Sequence, residues 1–297
     1  MFPAAIEEYV RPRSVADALS AAARYEDGEA IFLAGGQSVM QAMKSRMMRP
    51  RCVIDLQDLA DLKGIDHSNG GLSIGAMTRY VEVVEDETID GAFAALRDAA
   101  SRVGDRQVRN RGTIGGSLCW NYMAACTPAV VLALDGRLNL IAANGTTRTL
   151  AADDFLRGPL ETARGDDEIL LSVSWPAPAP HSGSAYKKWG QVTDALPVIG
   201  ICVLVSLDDK GRCEHARIAL AGLADGTQRA AAGEAVLIAS EGDRASIDAA
   251  MSEIAEAADT HSDMSADAEY RKNLIRTLGR EVGATAFERA RALGTSE

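Results

Sequence analysis

Hydrophobic and polar positions near the start of the chain follow a strand–helix–strand order. Ser14 precedes an amphipathic run, which predicts a helix that ends near Tyr25. Short apolar runs at 30–34 and 52–56 predict buried strands, and the pattern of residues 38–48 between them is helical. Parallel strands joined by a helix are typical of α/β units, so we expect a small parallel α/β lobe.

The pattern changes after the second of these strands. Alternating positions at 72–76 and 168–175 predict half-buried strands, with a helix at about 92–103 and an apolar segment at 128–134 between them. Alternate prolines then occupy residues 176–180. Because proline cannot continue a strand ladder, we place the clearest domain boundary there.

Beyond the prolines, the pattern predicts a small sheet followed by helices that pack on one face of it. The expected strands lie at 184–189, 197–207 and 215–221, and the expected helices at about 227–240, 244–257 and 266–282. The predicted fold class is therefore α+β. Its expected parts are residues 1–57, 58–176 and 181–290.

Composition limits what this protein can bind. The chain has 297 residues and a formal net charge of −11, which argues against nonspecific binding to nucleic acid. No apolar run reaches the roughly 18–20 residues that span a membrane. Residues 1–13 contain Glu7 and Glu8 and lack the apolar core of a signal peptide. We therefore expect a cytoplasmic protein with no membrane span and no nucleic-acid partner.

The cysteines and histidines do not indicate a metal site. Five cysteines are scattered without a C-x-x-C pair, and four histidines lie far apart. This spacing argues against a disulfide framework, structural zinc or an iron–sulfur cluster within the chain, and we expect Cys52 and Cys202 to be core residues. No nucleophile–base or paired-carboxylate arrangement is recognisable, so we predict neither catalytic residues nor metal ligands. The protein instead has the character of a cofactor holder.

Two glycine clusters carry the candidate chemistry. The first, residues 34–38 (AGGQS), follows an apolar run, and the second, residues 113–117 (TIGGS), follows an arginine-rich segment. Glycine pairs let backbone N–H groups approach an anion, and the nearby hydroxyls add neutral donors. Each pair alone is better explained as a tight turn, but together they favour a grip on the pyrophosphate of a dinucleotide. Neither has the spacing of a Rossmann turn or a P-loop.

Two basic patches accompany these clusters. They consist of Lys44, Arg46, Arg49 and Arg51, and of Arg102, Arg106, Arg109 and Arg111. Solvated charge or loop-anchoring ion pairs would explain them. A basic lining near the pyrophosphate, or a docking face for a negatively charged partner, is the functional alternative, since guanidinium groups suit both tasks.

At these residues the chain closely resembles the FAD-binding medium subunit of the molybdenum hydroxylases, the family of the carbon monoxide dehydrogenase medium chain and the xanthine dehydrogenase FAD subunit. The matching segments, in order over essentially the whole chain, are 34–38 with 43–44, 53–56, 74–78, 103–118, 168–172 and 268–271 with Leu274. The segment 103–118 is long enough to be highly specific. The resemblance implies the PCMH-type FAD-binding fold, in which two α/β lobes hold extended FAD and a C-terminal α+β domain follows.

The resemblance also implies which residues hold FAD. The glycine loops would bind the pyrophosphate and the neighbouring ribityl groups, Leu170 would pack near the flavin or adenine, and Lys187 would approach the isoalloxazine or its phosphate arm. Tyr186 would shield a ring face, although a core tyrosine on an alternating strand is an equal alternative. The predicted cofactor-binding residues are Leu33, Ala34, Gly35, Gly36, Gln37, Ser38, Thr78, Gly112, Thr113, Ile114, Gly115, Gly116, Ser117, Leu170, Tyr186 and Lys187.

For function, the resemblance implies an FAD-binding electron-transfer subunit of a heterotrimeric molybdenum hydroxylase. Its partners would be a molybdopterin-binding large subunit and a [2Fe–2S] small subunit, and its external electron acceptor would be NAD⁺, a quinone, a carrier protein or O₂. One alternative is a stand-alone flavoprotein oxidase or dehydrogenase that acts on a small molecule. Another is a structural docking subunit with a degenerate flavin site.

One departure from the family pattern lies just after the second glycine loop. Relatives commonly continue with a segment such as A-H-A-D-P-A-A-D, which ends in an aspartate close to the flavin. This chain instead has the segment Cys119–Cys126, with Cys126 at the position of the aspartate and Met123 at that of the proline. Loss of a negative charge there favours the reduced, anionic flavin and so raises its potential.

We therefore expect Cys126→Asp to lower the midpoint potential of the bound flavin, because the restored carboxylate disfavours an anionic reduced form. A redox titration of the FAD-loaded variant beside the wild type measures the change. Equal potentials in the two proteins would contradict this interpretation.

Overall fold

In a computed structural model, which describes residues 5–292, the first lobe is built on a three-stranded parallel sheet. Its elements are β1 (Glu8–Val10), α1 (Val15–Ala22), β2 (Ala30–Leu33), α2 (Val39–Lys44) and β3 (Cys52–Asp55). The strand order is β1-β3-β2, so β3 is central and is buried along its whole length. The predicted parallel lobe is confirmed, and both predicted strands are found.

The helix α2 is shorter than the predicted 38–48. Arg46 adopts a left-handed conformation with φ of 63°, and the N–H of Met47 donates to the carbonyl of Ala42 at 2.9 Å. This pairing of a left-handed residue with a backbone bond to the preceding turn is a common way for a helix to end. Residues 47–51 therefore leave the helix and lead directly into β3.

The second lobe contains a five-stranded antiparallel sheet in the order β4-β5-β10-β6-β7. Its strands are β4 (Ile65–Asp66), β5 (Leu72–Gly75), β6 (Arg137–Ala142), β7 (Thr147–Ala151) and β10 (Glu168–Trp175), and β8 (Leu156–Gly158) pairs with β9 (Glu161–Thr162) in a separate hairpin. Its helices are α3 (Tyr80–Glu85), α4 (Ala94–Ser101), α5 (Arg106–Arg109), α6 (Ile114–Trp120), α7 (Cys126–Ala133) and α8 (Ala152–Phe155). Short 3₁₀ turns lie at Ala60–Leu62, Ser68–Gly70 and Gly91–Phe93.

The apolar segment predicted at 128–134 is mostly the helix α7, which is buried on all sides. A helix that is apolar all round is a core element, and it packs against α4 and against two strands of the C-terminal domain, Ile199–Leu207 and Cys213–Ala221. The strands β6 and β7 were not expected from the sequence. β7 is the edge strand of the sheet, and it is polar and largely exposed. Its sequence therefore lacks the alternation of apolar residues that predicts a strand.

The C-terminal domain has an antiparallel sheet in the order β11-β12-β13-β14, covered by helices. Its elements are β11 (Ser182–Trp189), β12 (Ile199–Leu207), β13 (Cys213–Ala221), β14 (Gln228–Arg229), α9 (Ala231–Leu237), α10 (Arg244–Ala257) and α11 (Ala268–Ala292). Two predictions need correction. The stretch 227–240 is a short strand followed by a short helix, and the last helix continues ten residues beyond 282, to Ala292. No helix among the described residues is long and apolar enough to cross a membrane.

Both faces of the C-terminal sheet are covered. Ile201 and Val203 of β12 belong to the core shared with α10 and α11, whereas Cys202 between them joins the core of the second lobe. The expectation of helices on one face is therefore correct but incomplete, because the second lobe covers the other face. This double burial explains why β12 is a continuous apolar run rather than an alternating one.

A cluster of hydrogen bonds fixes β11 against the second lobe. The carboxylate of Asp98 in α4 accepts from both Nη atoms of Arg289 in α11, at 2.6 and 3.1 Å, and from the backbone N–H of Tyr186 at 3.1 Å. Arg289 also donates to the carbonyl of Ser184 at 2.7 Å. A two-pronged guanidinium–carboxylate contact fixes orientation as well as distance. It sets the position from which β11 and the loop after it reach the cleft between the lobes.

Candidate functional site

The two glycine loops touch each other at backbone distance. A Cβ added to Gly35 would lie 2.7 Å from the carbonyl carbon of Arg111 and 2.9 Å from the Cα of Gly112, and closer still to the carbonyl oxygen of Arg111. Any side chain at residue 35 would therefore force the loops apart. Glycine is required here by close approach, and the approach joins the end of β2 in the first lobe to the start of α6 in the second.

The backbone N–H groups of the second loop are already used within the protein. Ile114 donates to the carbonyl of Thr78 at 3.0 Å, and Gly115 donates to that of Ala76 at 2.8 Å. Gly116 donates to the side-chain oxygen of Thr113, the N-cap of α6, at 3.1 Å. These bonds make the second loop a fixed wall rather than a set of free donors.

The backbone N–H groups of the first loop, in contrast, are not used within residues 5–292. The N–H groups of Gly35, Gly36, Gln37, Ser38 and Val39 have no acceptor in the part of the chain that the structure describes. All of these residues line a large cavity between the lobes. Buried or half-buried backbone donors are almost always satisfied, and a consecutive run of free donors in a concave wall is typical of an anion site. The structure thus separates two loops that the sequence suggested were equivalent.

The cavity has a volume of about 910 Å³ and is walled by both lobes and by the C-terminal domain. Of the residues predicted to bind a cofactor, those that line it are Ala34, Gly35, Gly36, Gln37, Ser38, Gly112, Thr113, Gly115, Gly116, Ser117 and Leu170. The glycine clusters and the apolar Leu170 are therefore gathered around one space, as the prediction requires.

Five predicted residues lie outside this wall. Leu33 and Ile114 are buried beside the loops, and Thr78 exchanges hydrogen bonds of 3.0 Å with Gly64 through its hydroxyl. Tyr186 is only 2% exposed and belongs to the core of the second lobe, which favours the core alternative stated for it. Lys187 forms an ion pair with Glu281 of α11.

The lysine that lines the cavity is Lys188, the neighbour of the predicted one. Its ammonium group donates to the carbonyl of Ala195, and burial lowers its pKa. Side chains alternate across a strand, so Lys187 faces α11 while Lys188 faces the cleft. Strand alternation within β11 was the signal that would have identified it.

The departing segment Cys119–Cys126 forms part of the same wall. Cys119, Trp120, Tyr122 and Cys126 all line the cavity. Burial raises the pKa of the Cys126 thiol and raises that of Cys119 to about 11, so both thiols are neutral near pH 7. A neutral thiol at residue 126 is what the expected effect of Cys126→Asp requires.

Sequence reasoning missed two further parts of the wall. Residues 194–197, in the loop between β11 and β12, form the part of the wall that the C-terminal domain contributes. Met47 and Met48 line the cavity from the first lobe. Nothing in the sequence marks the loop as facing a cleft that lies far from it along the chain. Met47 is 76% exposed, and an exposed methionine beside a helix end was the available signal. Across residues 5–292 the structure gathers no group of His, Cys, Asp and Glu suited to a metal ion.

Comparison with known proteins defines the family. Residues 4–178 match the family described as the FAD binding domain in molybdopterin dehydrogenase, and residues 184–286 match the CO dehydrogenase flavoprotein C-terminal domain. The chain is 32% identical over 284 residues to the 6-hydroxypseudooxynicotine dehydrogenase complex subunit alpha of Paenarthrobacter nicotinovorans, covering 96% of this chain and 95% of that one. It is 30% identical over 286 residues to the carbon monoxide dehydrogenase medium chain of Afipia carboxidovorans, covering 96% of each.

Solved structures agree with this result. A carbon monoxide dehydrogenase from Hydrogenophaga pseudoflava superposes with a TM-score of 0.91 at 30% identity, covering 97% of this chain and 99% of that one. The chain belongs to the family of FAD-binding medium subunits of molybdenum hydroxylases. Family membership confirms the predicted fold class, the predicted cofactor FAD and the assignment to the FAD-dependent oxidoreductases.

The residues present fit FAD. The cavity volume lies within the roughly 300–1,000 Å³ of ligand sites. The free N–H groups of Gly35–Val39 suit a pyrophosphate, and apolar residues such as Leu170 and Trp120 suit the rings at either end of an extended dinucleotide. We infer that the first loop donates to the pyrophosphate and that the second loop holds it in place.

Gly35→Ala tests this arrangement. The added methyl group displaces the Arg111 carbonyl, at a cost of about 1–3 kcal/mol in the free energy of unfolding. We expect it to weaken FAD binding by tenfold or more, because the free donors move relative to the second loop. Quenching of flavin fluorescence on titration of apoprotein with FAD measures the dissociation constant.

Gly158→Ala is the matched control, since the nearest atom to a Cβ there would be 4.0 Å away. It is expected to bind FAD as the wild type does. Thermal unfolding followed by circular dichroism shows whether each variant is folded. A folded Gly35→Ala protein with wild-type affinity for FAD would contradict the proposed role of the loop contact.

Proposed function

We propose that this chain is the FAD-binding electron-transfer subunit of a heterotrimeric molybdenum hydroxylase. In this proposal it receives electrons from the [2Fe–2S] clusters of a small subunit, and a large subunit with molybdopterin hydroxylates the substrate. Delivery is to an external acceptor, which is NAD⁺, a quinone, a carrier protein or O₂. When bound, FAD would accept electrons one at a time from the clusters and deliver two electrons to the acceptor.

The observation that carries this proposal is the run of free N–H donors from Gly35 to Val39 in a cavity walled by all three parts of the chain. It gives the chain a place for FAD, whereas the chain has no recognisable acid–base or nucleophilic arrangement of its own. Relatives named as medium chains of carbon monoxide dehydrogenase are subunits of larger enzymes. The scattered cysteines agree with iron–sulfur ligands being held by another subunit.

Within the site, each part of the wall has a separate task. The first glycine loop would bind and orient the pyrophosphate, and Thr113 and the second loop would keep the lobes at a fixed separation. Lys188 would place a positive charge beside the flavin. Relatives commonly have an aspartate at the position of Cys126, and the neutral thiol here supplies no carboxylate to balance that charge. The loop of residues 194–197 would exclude water from the same region.

Purification of the tagged chain from its own cells tests the function. We expect a yellow complex that contains FAD, molybdenum and iron in fixed proportion, together with one larger and one smaller partner subunit. A lone yellow protein that oxidises a small molecule would favour the stand-alone flavoprotein. A colourless chain within an intact complex would favour the docking subunit, and either result would contradict the proposal.

A further inference from the structure

The arginines of the two basic patches differ in whether they have a partner within the protein. Arg51 pairs with Glu7 and Glu29, at 2.9 and 3.1 Å, and therefore anchors the first lobe. Arg109 donates to the carbonyls of Val103 and Gly104, at 3.1 and 2.7 Å. These arginines have structural partners. Arg111 has no carboxylate partner among residues 5–292, and its side chain is exposed.

Arg111 shares a small pocket with Lys63 and Arg79. The pocket lies against the contact of the two glycine loops, since Ala34, Gly35 and Thr113 form part of its wall, and Gln57 and Met77 complete it. Neither Lys63 nor Arg79 has a carboxylate partner in the described part of the chain. Three positively charged residues from separate segments thus line one small pocket, and none of them has a carboxylate partner among residues 5–292.

Two nearby acids, Asp55 and Glu82, have other partners. The carboxylate of Asp55 accepts from the hydroxyl of Tyr9 and from the side-chain and backbone N–H groups of Gln57. Glu82 accepts from the backbone N–H of Arg79 rather than from its guanidinium group. The whole chain carries a net charge of −11. Three cations without a carboxylate partner at one pocket therefore contrast with the rest of the surface and form a local positive field.

The pocket is separate from the FAD cavity. None of Lys63, Arg79, Arg111 and Gln57 lines the large cavity, although four residues line both spaces: Ala34, Gly35, Met77 and Thr113. The pyrophosphate of FAD already has the free N–H groups of the first loop. The arrangement proposed for the cofactor does not use these three cations.

The size of the pocket limits what enters it. Its volume is about 10 Å³, which is the space of a single water-sized atom group. That space holds one oxygen of an oxyanion, and the remaining oxygens would lie outside it, at its mouth. Guanidinium groups bind tetrahedral phosphate oxygens with two hydrogen bonds at once, and lysine adds a point charge.

We propose that Lys63, Arg79 and Arg111 form a phosphate-binding site beside the contact between the glycine loops, distinct from the pyrophosphate site of FAD. The phosphate group is either free inorganic phosphate or the phosphate of a second nucleotide. The site rests on the described side chains and pocket, not on the electron-transfer role, so it stands even if that role is wrong.

The experiment titrates inorganic phosphate into the FAD-loaded protein by calorimetry, at constant ionic strength maintained with sodium chloride. We expect saturable binding of one phosphate per chain. Arg111→Gln and Lys63→Gln should each weaken it by about tenfold, since each removes a charged donor. Arg157→Gln is the matched control, because Arg157 is exposed and lies outside the pocket, and it should leave phosphate binding unchanged.

A second titration distinguishes the sources. If adenosine monophosphate displaces phosphate from the wild type and not from Arg111→Gln, the site accepts a nucleotide phosphate, whereas failure to displace it assigns the site to inorganic phosphate. Flavin absorbance of each purified variant reports FAD occupancy. Absence of saturable phosphate binding, equal weakening by Arg157→Gln, or loss of FAD from Arg111→Gln and Lys63→Gln would each overturn the proposal.

Discussion

The close approach of Gly35 to the carbonyl of Arg111 is the constraint on which the site depends. It brings two lobes of different architecture, one parallel and one antiparallel, to backbone contact at a single point. The large cavity with its free N–H groups and the small cationic pocket both adjoin that point. A change in this one separation would alter both spaces at once, because the same loop residues form walls of each.

The two loops divide the work that a single phosphate-binding loop usually performs. Thr113 caps α6 and the N–H groups of Ile114 and Gly115 bond to the segment after β5, so the second loop is ordered without a ligand. The first loop keeps its donors free. Donors that are held in place before the ligand arrives need little reorganisation on binding, and this lowers the entropic cost of holding a flexible dinucleotide.

Much of this site could be predicted from the sequence, because glycine pairs after apolar runs have a direct physical meaning. The long match over residues 103–118 predicted a site at the second loop, residues of which line the cavity, and the parallel first lobe followed from its alternation of strands and helix. The predicted Lys187 differs by a shift of one residue along β11 from the lysine that lines the cavity, Lys188. Since side chains alternate along a strand, that shift moves the charge from the cleft to the contact with Glu281.

Other features depend on tertiary contacts that no local pattern encodes. The loop of residues 194–197 lines the cavity, and it follows a strand, β11, that Asp98 and Arg289 fix against the second lobe. Lys63, Arg79 and Arg111 lie in separate segments of the second lobe, and only its tertiary packing brings them to one pocket. Likewise, the sequence does not show that one glycine loop uses its donors internally while the other leaves them free.

Backbone hydrogen exchange, measured residue by residue in the apoprotein and in the FAD-loaded protein, tests this central claim most directly. The amides of Gly35–Val39 should exchange quickly without FAD and slowly with it, because the pyrophosphate becomes their acceptor. The amides of Ile114, Gly115 and Gly116 should be protected in both states, because their acceptors are Thr78, Ala76 and Thr113. Exchange at Gly35–Val39 that FAD leaves unchanged would contradict the account.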